Sequence, residues 1–307
     1  MTTISVLGVP SAAGTHGPGQ ETAPQALRAA GLVQRLKARG LRVDDRGDLD
    51  VVPFAPDPAN RTQQNAGRVV DTVRQVAGRV SDILDGDGLP LIIGGDCTIT
   101  LGVVAAYARR HPELGLMYFD GDIDVSTPQS TVSGIVDTMG MAHLLGQGIP
   151  ELAHVGPRYP LLAGGHIVAF GYDQREPSAE QELWLREQGV ACHPANQLTD
   201  PAGQAGGAWA SLAGRASPIL LHFDVDVIDS TDFPLADFPH FNEGLPYDDA
   251  MRCLNTFCAA PLFAGLVVTE INPHRDPGGV LIDRLLTDLT AALAQTADRP
   301  GQAEPGR

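Results

Sequence analysis

Short apolar, β-branched runs alternate along this chain with longer segments in which apolar residues recur every three to four positions. The runs predict strands over 3–9, 89–93, 114–119, 167–171, 219–223 and 266–271. The helical period predicts helices over 23–37, 63–84, 99–111, 178–187, 247–257 and 281–294. Such alternation is the signature of an α/β fold, a mainly parallel sheet covered by helices on both faces. No composition break or internal repeat divides the series, so one domain is expected over 1–295. The stretch 296–307, TADRPGQAEPGR, has no apolar anchor and reads as a mobile tail.

In a parallel sheet, ligands gather just past the carboxyl ends of the strands, so the residues that follow each apolar run are the informative ones. Here they are acidic. Gly94, Gly95, Asp96 and Cys97 follow one run, Asp120, Gly121, Asp122, Ile123 and Asp124 a second, and Asp224, Val225 and Asp226 a third. A lone DxD string reads as a solvated turn or a helix cap. Several such strings converging in a partly buried cleft require cations, because desolvation and mutual repulsion are otherwise prohibitive. One divalent metal ion or a pair resolves this.

Composition narrows the partners. Lysine and arginine number 21 against 37 aspartates and glutamates, a formal charge of −16 whose field repels nucleic acid and anionic membrane surfaces and favours cations. The four cysteines, Cys97, Cys192, Cys253 and Cys258, are scattered and read as reduced thiols. The N-terminus lacks the pattern of a secretory signal, and no window is apolar for long enough to span a membrane, so a cytoplasmic location is expected. The absence of a GxGxxG string after the first run disfavours a dinucleotide-binding fold.

Four motifs, GGDCT at 94–98, DGDID at 120–124, DVDVID at 224–229 and TEINP at 269–273, resemble in order and spacing the GGDHS, DAHxD, DVDxxDP and ExNP strings of the arginase and agmatinase (ureohydrolase) family. The opening VLGVPSAAGTHGPGQETAPQALRAAGL and the loop TPQSTVSG at 127–134 extend the resemblance over nearly the whole chain. It implies two manganese ions, one held by Cys97, Asp120, Asp124 and Asp224, the other by Asp122, Asp120, Asp224 and Asp226. It also implies a shared water that attacks a guanidinium carbon, Asp124 as general acid and Glu270 as partner of the substrate cation. Asp137 aligns with a proton-shuttle histidine. Ser126, Thr131, Ser133 and Glu176 align with residues that contact the amino-acid end of the substrate. A homo-oligomer is the family's usual state.

Four positions depart from that pattern. Cys97 and Asp122 stand where the family has metal-binding histidines, Asp137 where it has the shuttle, and Ser126 where it has an asparagine; His143 lies six residues beyond Asp137. Aspartate is a hard donor suited to manganese or magnesium, whereas a thiolate favours zinc or iron. Cys97 also reads as a buried small apolar side chain, and more remotely as a nucleophile that lacks an evident histidine base. His222, just before the DVD string, reads as a packing or hydrogen-bonding residue. Cys97 and Gly121 are shared with the arginase-like hydrolases of N-hydroxyarginine, in which a histidine is expected where Asp122 stands. The related single-zinc deacetylases use a histidine arrangement absent from this sequence. The expected function is metal-dependent hydrolysis of a linear C–N bond in a cationic guanidino or amidino compound, such as a modified arginine. The alternative is a catalytically silent arginase-fold binding or regulatory protein.

Overall fold

The apolar runs form the middle of a sheet whose two edges are less buried. The computed structural model describes residues 3–86 and 88–296, so the tail expected over 296–307 lies, from 297 onward, outside the described residues. Among the described residues the strands are β1 (Thr3–Val9), β2 (Arg42–Asp48), β3 (Gly88–Gly94), β4 (Gly115–Phe119), β5 (Ile167–Phe170), β6 (Ala191–His193), β7 (Ile219–Asp224) and β8 (Phe263–Thr269). They form one eight-stranded sheet in the order β2-β1-β3-β8-β7-β4-β5-β6, and every neighbouring pair is parallel.

Successive side chains of a strand face opposite ways, so a strand buried along its whole length must be covered on both faces. β4 and β7 are such strands. Met117, Phe119, Leu221 and Phe223 enter the core on one face, Leu116, Tyr118 and Leu220 the core on the other. The helices are α1 (Ala23–Ala29), α2 (Leu32–Ala38), α3 (Ala66–Leu84), α4 (Ile99–Ala108), α5 (Gly140–Leu144), α6 (Pro150–Ala153), α7 (Ala179–Gln188), α8 (Pro201–Ala213), α9 (Tyr247–Ala259) and α10 (Val280–Ala294). α1, α2, α8, α9 and α10 cover the first face, and α3 and α4 dominate the second. None of these helices is long and apolar enough to cross a membrane.

Several expectations are corrected. The helix expected over 23–37 is two helices, α1 and α2, because the chain turns at Gly31, whose φ of 89° is strained for any residue with a Cβ. β2 was not expected from RVDDRGD; it is a largely exposed edge strand held by main-chain pairing to β1, so no apolar pattern marks it. β6 is a short, half-buried opposite edge. α8 escapes the periodicity because it is rich in alanine and glycine; its start is fixed by Asp200, which accepts a hydrogen bond from the Gly203 amide. β8 begins before and ends before the expected 266–271, which leaves Glu270 just beyond the strand.

The order β3-β8-β7-β4 brings the carboxyl ends of the four motif-bearing strands side by side. α4 opens directly after β3 and is buried on every side. It reaches α3 through Gly102: a Cβ there would lie 2.5 Å from the Val73 carbonyl oxygen and 2.8 Å from Val76 Cβ. Gly102→Val is therefore expected to force α3 and α4 apart and to cost about 1–3 kcal/mol of stability by overpacking. A lowered urea midpoint at unchanged slope is the expected result; an unchanged midpoint would show that the helix pair can relax freely.

Candidate metal centre

Each motif places its carboxylates through bonds with its own backbone. Asp120 Oδ1 accepts from the Asp122 amide at 2.7 Å, and Asp224 Oδ1 from the Asp226 amide at 2.8 Å, so both DxD strings fold back identically. Asp226 Oδ1 accepts from the Gly121 amide at 2.9 Å and ties the two strings together. Asp124 and Glu270 both take the left-handed backbone conformation, with φ of 53° and 63°. That conformation costs of order 1–3 kcal/mol for residues with a Cβ and marks positions held for a purpose. The surroundings impose it: the Glu270 amide donates to the Gly95 carbonyl at 3.0 Å, and the Asp124 carbonyl accepts from the Ala142 amide at 3.2 Å.

Cys97, Asp120, Asp122, Asp124, Asp137, Asp224, Asp226 and Glu270 line one cleft together with Thr138 and Phe238, and none of these lining residues is basic. The structure thus brings all the sequence-derived metal and catalytic candidates into one place. All are buried except Asp122, which is half-buried. Tyr118 donates its hydroxyl proton to Asp124 Oδ2, and Gln20 Nε2 donates to Glu270 Oε2. Glu270 Oε1 is buried, and the Glu270 carboxyl neighbours that of Asp137.

Cys97 Sγ lies 2.5 Å from Asp224 Oδ2, 4.0 Å from Asp120 Oδ2 and 3.6 Å from His222 Nε2. His222 is fully buried, stacked on Tyr118 with ring centroids 4.3 Å apart, and 3.0 Å from Asp120 Oδ2 through Nε2. It packs and hydrogen-bonds, as expected, and does so inside the acidic cluster. It also puts beside Cys97 the imidazole that adjoins it nowhere in the sequence. Burial, then Asp224, Asp137 and Asp120, push the Cys97 thiol well above its usual range, so without a cation it stays protonated and is no nucleophile.

His240 went unremarked in the sequence. Its Nε2 is 3.2 Å from Asp122 Oδ1 and 3.9 Å from Asp226 Oδ2, and its Nδ1 is 3.8 Å from Asp173 Oδ2. The segment that carries it is a closed loop. A parallel bridge joins Ile228 to Leu245, and Asp229 accepts from the Thr231, Glu243 and Gly244 amides at 2.9, 2.9 and 3.2 Å. Its only sequence signal is an isolated histidine in a loop after the DVD string. His143, by contrast, lies outside the cleft: its Nε2 accepts from the Ile149 amide at 3.0 Å, and burial lowers its pKa to about 4. Asp137 is in the cleft, accepting from the Cys97 amide at 2.7 Å, and burial followed by Asp96 raises its pKa to about 8.

The residues matched to substrate contacts are more peripheral. Thr131 Oγ1 accepts from the amides of Ser133 and Gly134 at 3.2 and 2.9 Å, and the Ser126 amide donates to the Thr138 carbonyl at 3.0 Å. Glu176 accepts from the Ile123 amide between the two outer aspartates of DGDID.

The electrostatics test whether metal ions suit these donors. Burial first, then Asp226, Asp224, Asp124 and Asp122, raise the Asp120 carboxyl well above the carboxylate range. Burial and neighbouring carboxylates do the same to Asp124, Asp226 and Glu270, and burial raises Asp224 to about 7. Carboxyl groups this close cannot all ionise alone, and divalent cations supply the compensation. Among the described residues three sets of donors have ligand atoms within 4.8 Å of one another: Cys97, Asp120, His222 and Asp224; Cys97, Asp137 and Glu270; and Asp122, Asp226 and His240, the first and last of which share no residue. The residues present therefore fit a pair of divalent metal ions.

The comparisons agree with this geometry. The model of the Arginase family matches residues 2–297. Arginase from Bacillus caldovelox is 27% identical over 281 residues, covering 90% of this chain and 93% of that protein. Arginase-1 of Homo sapiens is 29% identical over 311 residues, covering 99% of this chain and 94% of that protein. The native structure of the Bacillus caldovelox arginase shares the fold with a TM-score of 0.87 at 24% identity, over 98% of this chain and all of that one. With four ordered motifs converging at the ends of adjacent strands, and a match that runs nearly from end to end, the chain belongs to the arginase family.

Proposed function

We propose that this protein is a metal-dependent hydrolase of a linear C–N bond in a small cationic guanidino or amidino compound, with modified arginines such as N-hydroxyarginine among the substrates that suit it. The observation that carries this reading is Glu270, a carboxyl buried in the same cleft as the aspartates whose neighbours are the neutral Gln20 and the Asp137 carboxyl, with no cationic side chain among the described residues that line the cleft. A buried carboxylate without a cation is costly, and a guanidinium is the donor whose charge and geometry satisfy it.

By the family's pattern Asp120 and Asp224, which here fall in one donor set with Cys97, would be shared by both ions, with Cys97 and Asp124 completing one position and Asp122 and Asp226 the other. The carboxylate majority suits manganese or magnesium, and Cys97 leaves zinc or iron(II) open. When bound, such a pair supplies a water acidic enough to lose its proton near neutral pH. Gln20 holds Glu270 so that its other oxygen orients the substrate cation. Asp124, aimed by its left-handed backbone and by Tyr118, holds a proton for the departing amine. Asp137, beside Cys97 and Glu270, holds a further proton in place of a shuttle imidazole.

Two outcomes check this reading. A carboxyl whose pKa rises on folding binds more protons in the folded state, so stability is lost as pH increases from the unfolded value of about 4 toward the folded one. With Asp224 raised to about 7 and Asp137 to about 8, the metal-free protein should melt at progressively lower temperature from pH 5 to pH 8 in chelator. Manganese should raise the melting temperature most at pH 8. A melting temperature that climbs with pH in chelator would contradict the carboxyl clustering.

Glu270→Gln removes the anion but keeps the shape. It should lower kcat/KM by about 10- to 100-fold, the worth of one charge-assisted hydrogen bond, at unchanged metal content. The assay is release of urea, hydroxyurea or amine from a guanidino panel that includes arginine and N-hydroxyarginine. Metal-loaded wild-type protein that turns over none of them would leave a binding or regulatory role.

A further inference from the structure

The two metal-site histidines missing from GGDCT and DGDID have counterparts in space. Where Cys97 replaces one of them, the short thiol side chain leaves room for His222 to approach Asp120 and Cys97 from β7, at 3.0 and 3.6 Å. Where Asp122 replaces the other, His240 approaches from the closed loop after β7, at 3.2 Å from Asp122 and 3.9 Å from Asp226. We propose that His222 and His240 supply the imidazole donors of this centre, one at each metal position. The inference rests on reading the cleft as a binuclear metal site.

Both rings are prepared for that task. Thr100 Oγ1 lies 2.8 Å from His222 Nδ1, and with the hydroxyl accepting there, the Nε2 lone pair faces the cluster. Behind His240 stands Asp173, 3.8 Å from Nδ1, which turns Nε2 toward Asp122 and Asp226. His240 Nε2 is buried, and its nearest partners are the carboxylates of Asp122 at 3.2 Å and Asp226 at 3.9 Å. An ion between these donors takes all three. Ligand atoms of one ion with bonds of about 2.0–2.2 Å stand up to roughly 4 Å apart, and the two imidazoles lie within that reach of their partners, at 3.0 and 3.6 Å for His222 and 3.2 and 3.9 Å for His240.

A third observation links the loss of one imidazole to the arrival of the other. A Cβ at Gly121 would lie 2.8 Å from His240 Cδ2 and 2.6 Å from the Asp226 carbonyl oxygen. The alanine of the DAHxD string does not fit beside His240, so Gly121 and Asp122 together make the opening through which the ring enters. One nitrogen donor leaves the strand end and another enters from the facing loop. Returning an imidazole to each position also favours manganese, iron or zinc over magnesium and calcium.

The test uses the full chain, stripped with chelator and titrated with Mn2+, reading stoichiometry and affinity by calorimetry and directly coordinated 14N by pulsed electron paramagnetic resonance. Of the described side chains grouped as metal donors only His222 and His240 carry nitrogen, so directly coordinated 14N reports imidazole. Wild-type protein should bind two ions with nitrogen coupling. His240→Asn and His222→Asn should each weaken one ion by at least 10-fold and reduce the coupling. Gly121→Ala should mimic His240→Asn, and the double variant should be no worse than either single one. Should His222→Asn fail to fold, the wild-type coupling together with His240→Asn and Gly121→Ala still decides. Two ions bound without nitrogen coupling, and with affinity unchanged in the His240 variant, would reduce the histidines to ion-pair partners while the metal site stands. No ion bound by wild-type protein would overturn both.

Discussion

Everything in this molecule's functional end follows from one electrostatic constraint, the burial of many carboxyl groups at the tips of four adjacent parallel strands. In water such groups repel weakly. In a cleft from which water is excluded, each raises the cost of ionising its neighbours. The order β3-β8-β7-β4 creates the crowding, since strands distant in sequence deliver Asp120, Asp224 and Glu270 to the same point. The sheet tolerates it because the crowding stops at the carboxyl ends: the strand interiors behind it are apolar on both faces.

Neutral partners decide where each carboxylate points. Tyr118 restrains Asp124, Gln20 restrains Glu270, and Thr100 fixes His222. Tyr118 also stacks on His222, so one aromatic ring supports groups from two different motifs. Asp96, the acidic residue of GGDCT that does not line the cleft, instead accepts from the Gly14 amide and the Ser11 hydroxyl at 3.0 and 3.2 Å and fastens the first loop beside the centre.

How much of this was legible in the sequence depends on whether a feature is local. The six apolar strands and most helices were, because burial on both faces writes itself into consecutive residues; β2, held through its main chain alone, writes nothing there. The donors Asp120, Asp122, Asp224 and Asp226 were legible because each follows a strand within a motif. His240 was not, since what places it is the bridge between Ile228 and Leu245 and the bonds that converge on Asp229. Nor was the meaning of Gly121, whose missing Cβ matters only once a ring from a distant loop stands against it.

That closed loop has a consequence of its own. A side chain borne on a free segment loses chain entropy each time it grips a ligand, whereas one on a loop already tied together at its two ends lost much of that freedom when the protein folded. His240 thus sits on a preorganised chelating arm. Its hold on a cation depends on the integrity of Asp229, a residue that touches neither the cleft nor its contents, and the affinity of the centre becomes a property of how well a surface loop is knotted.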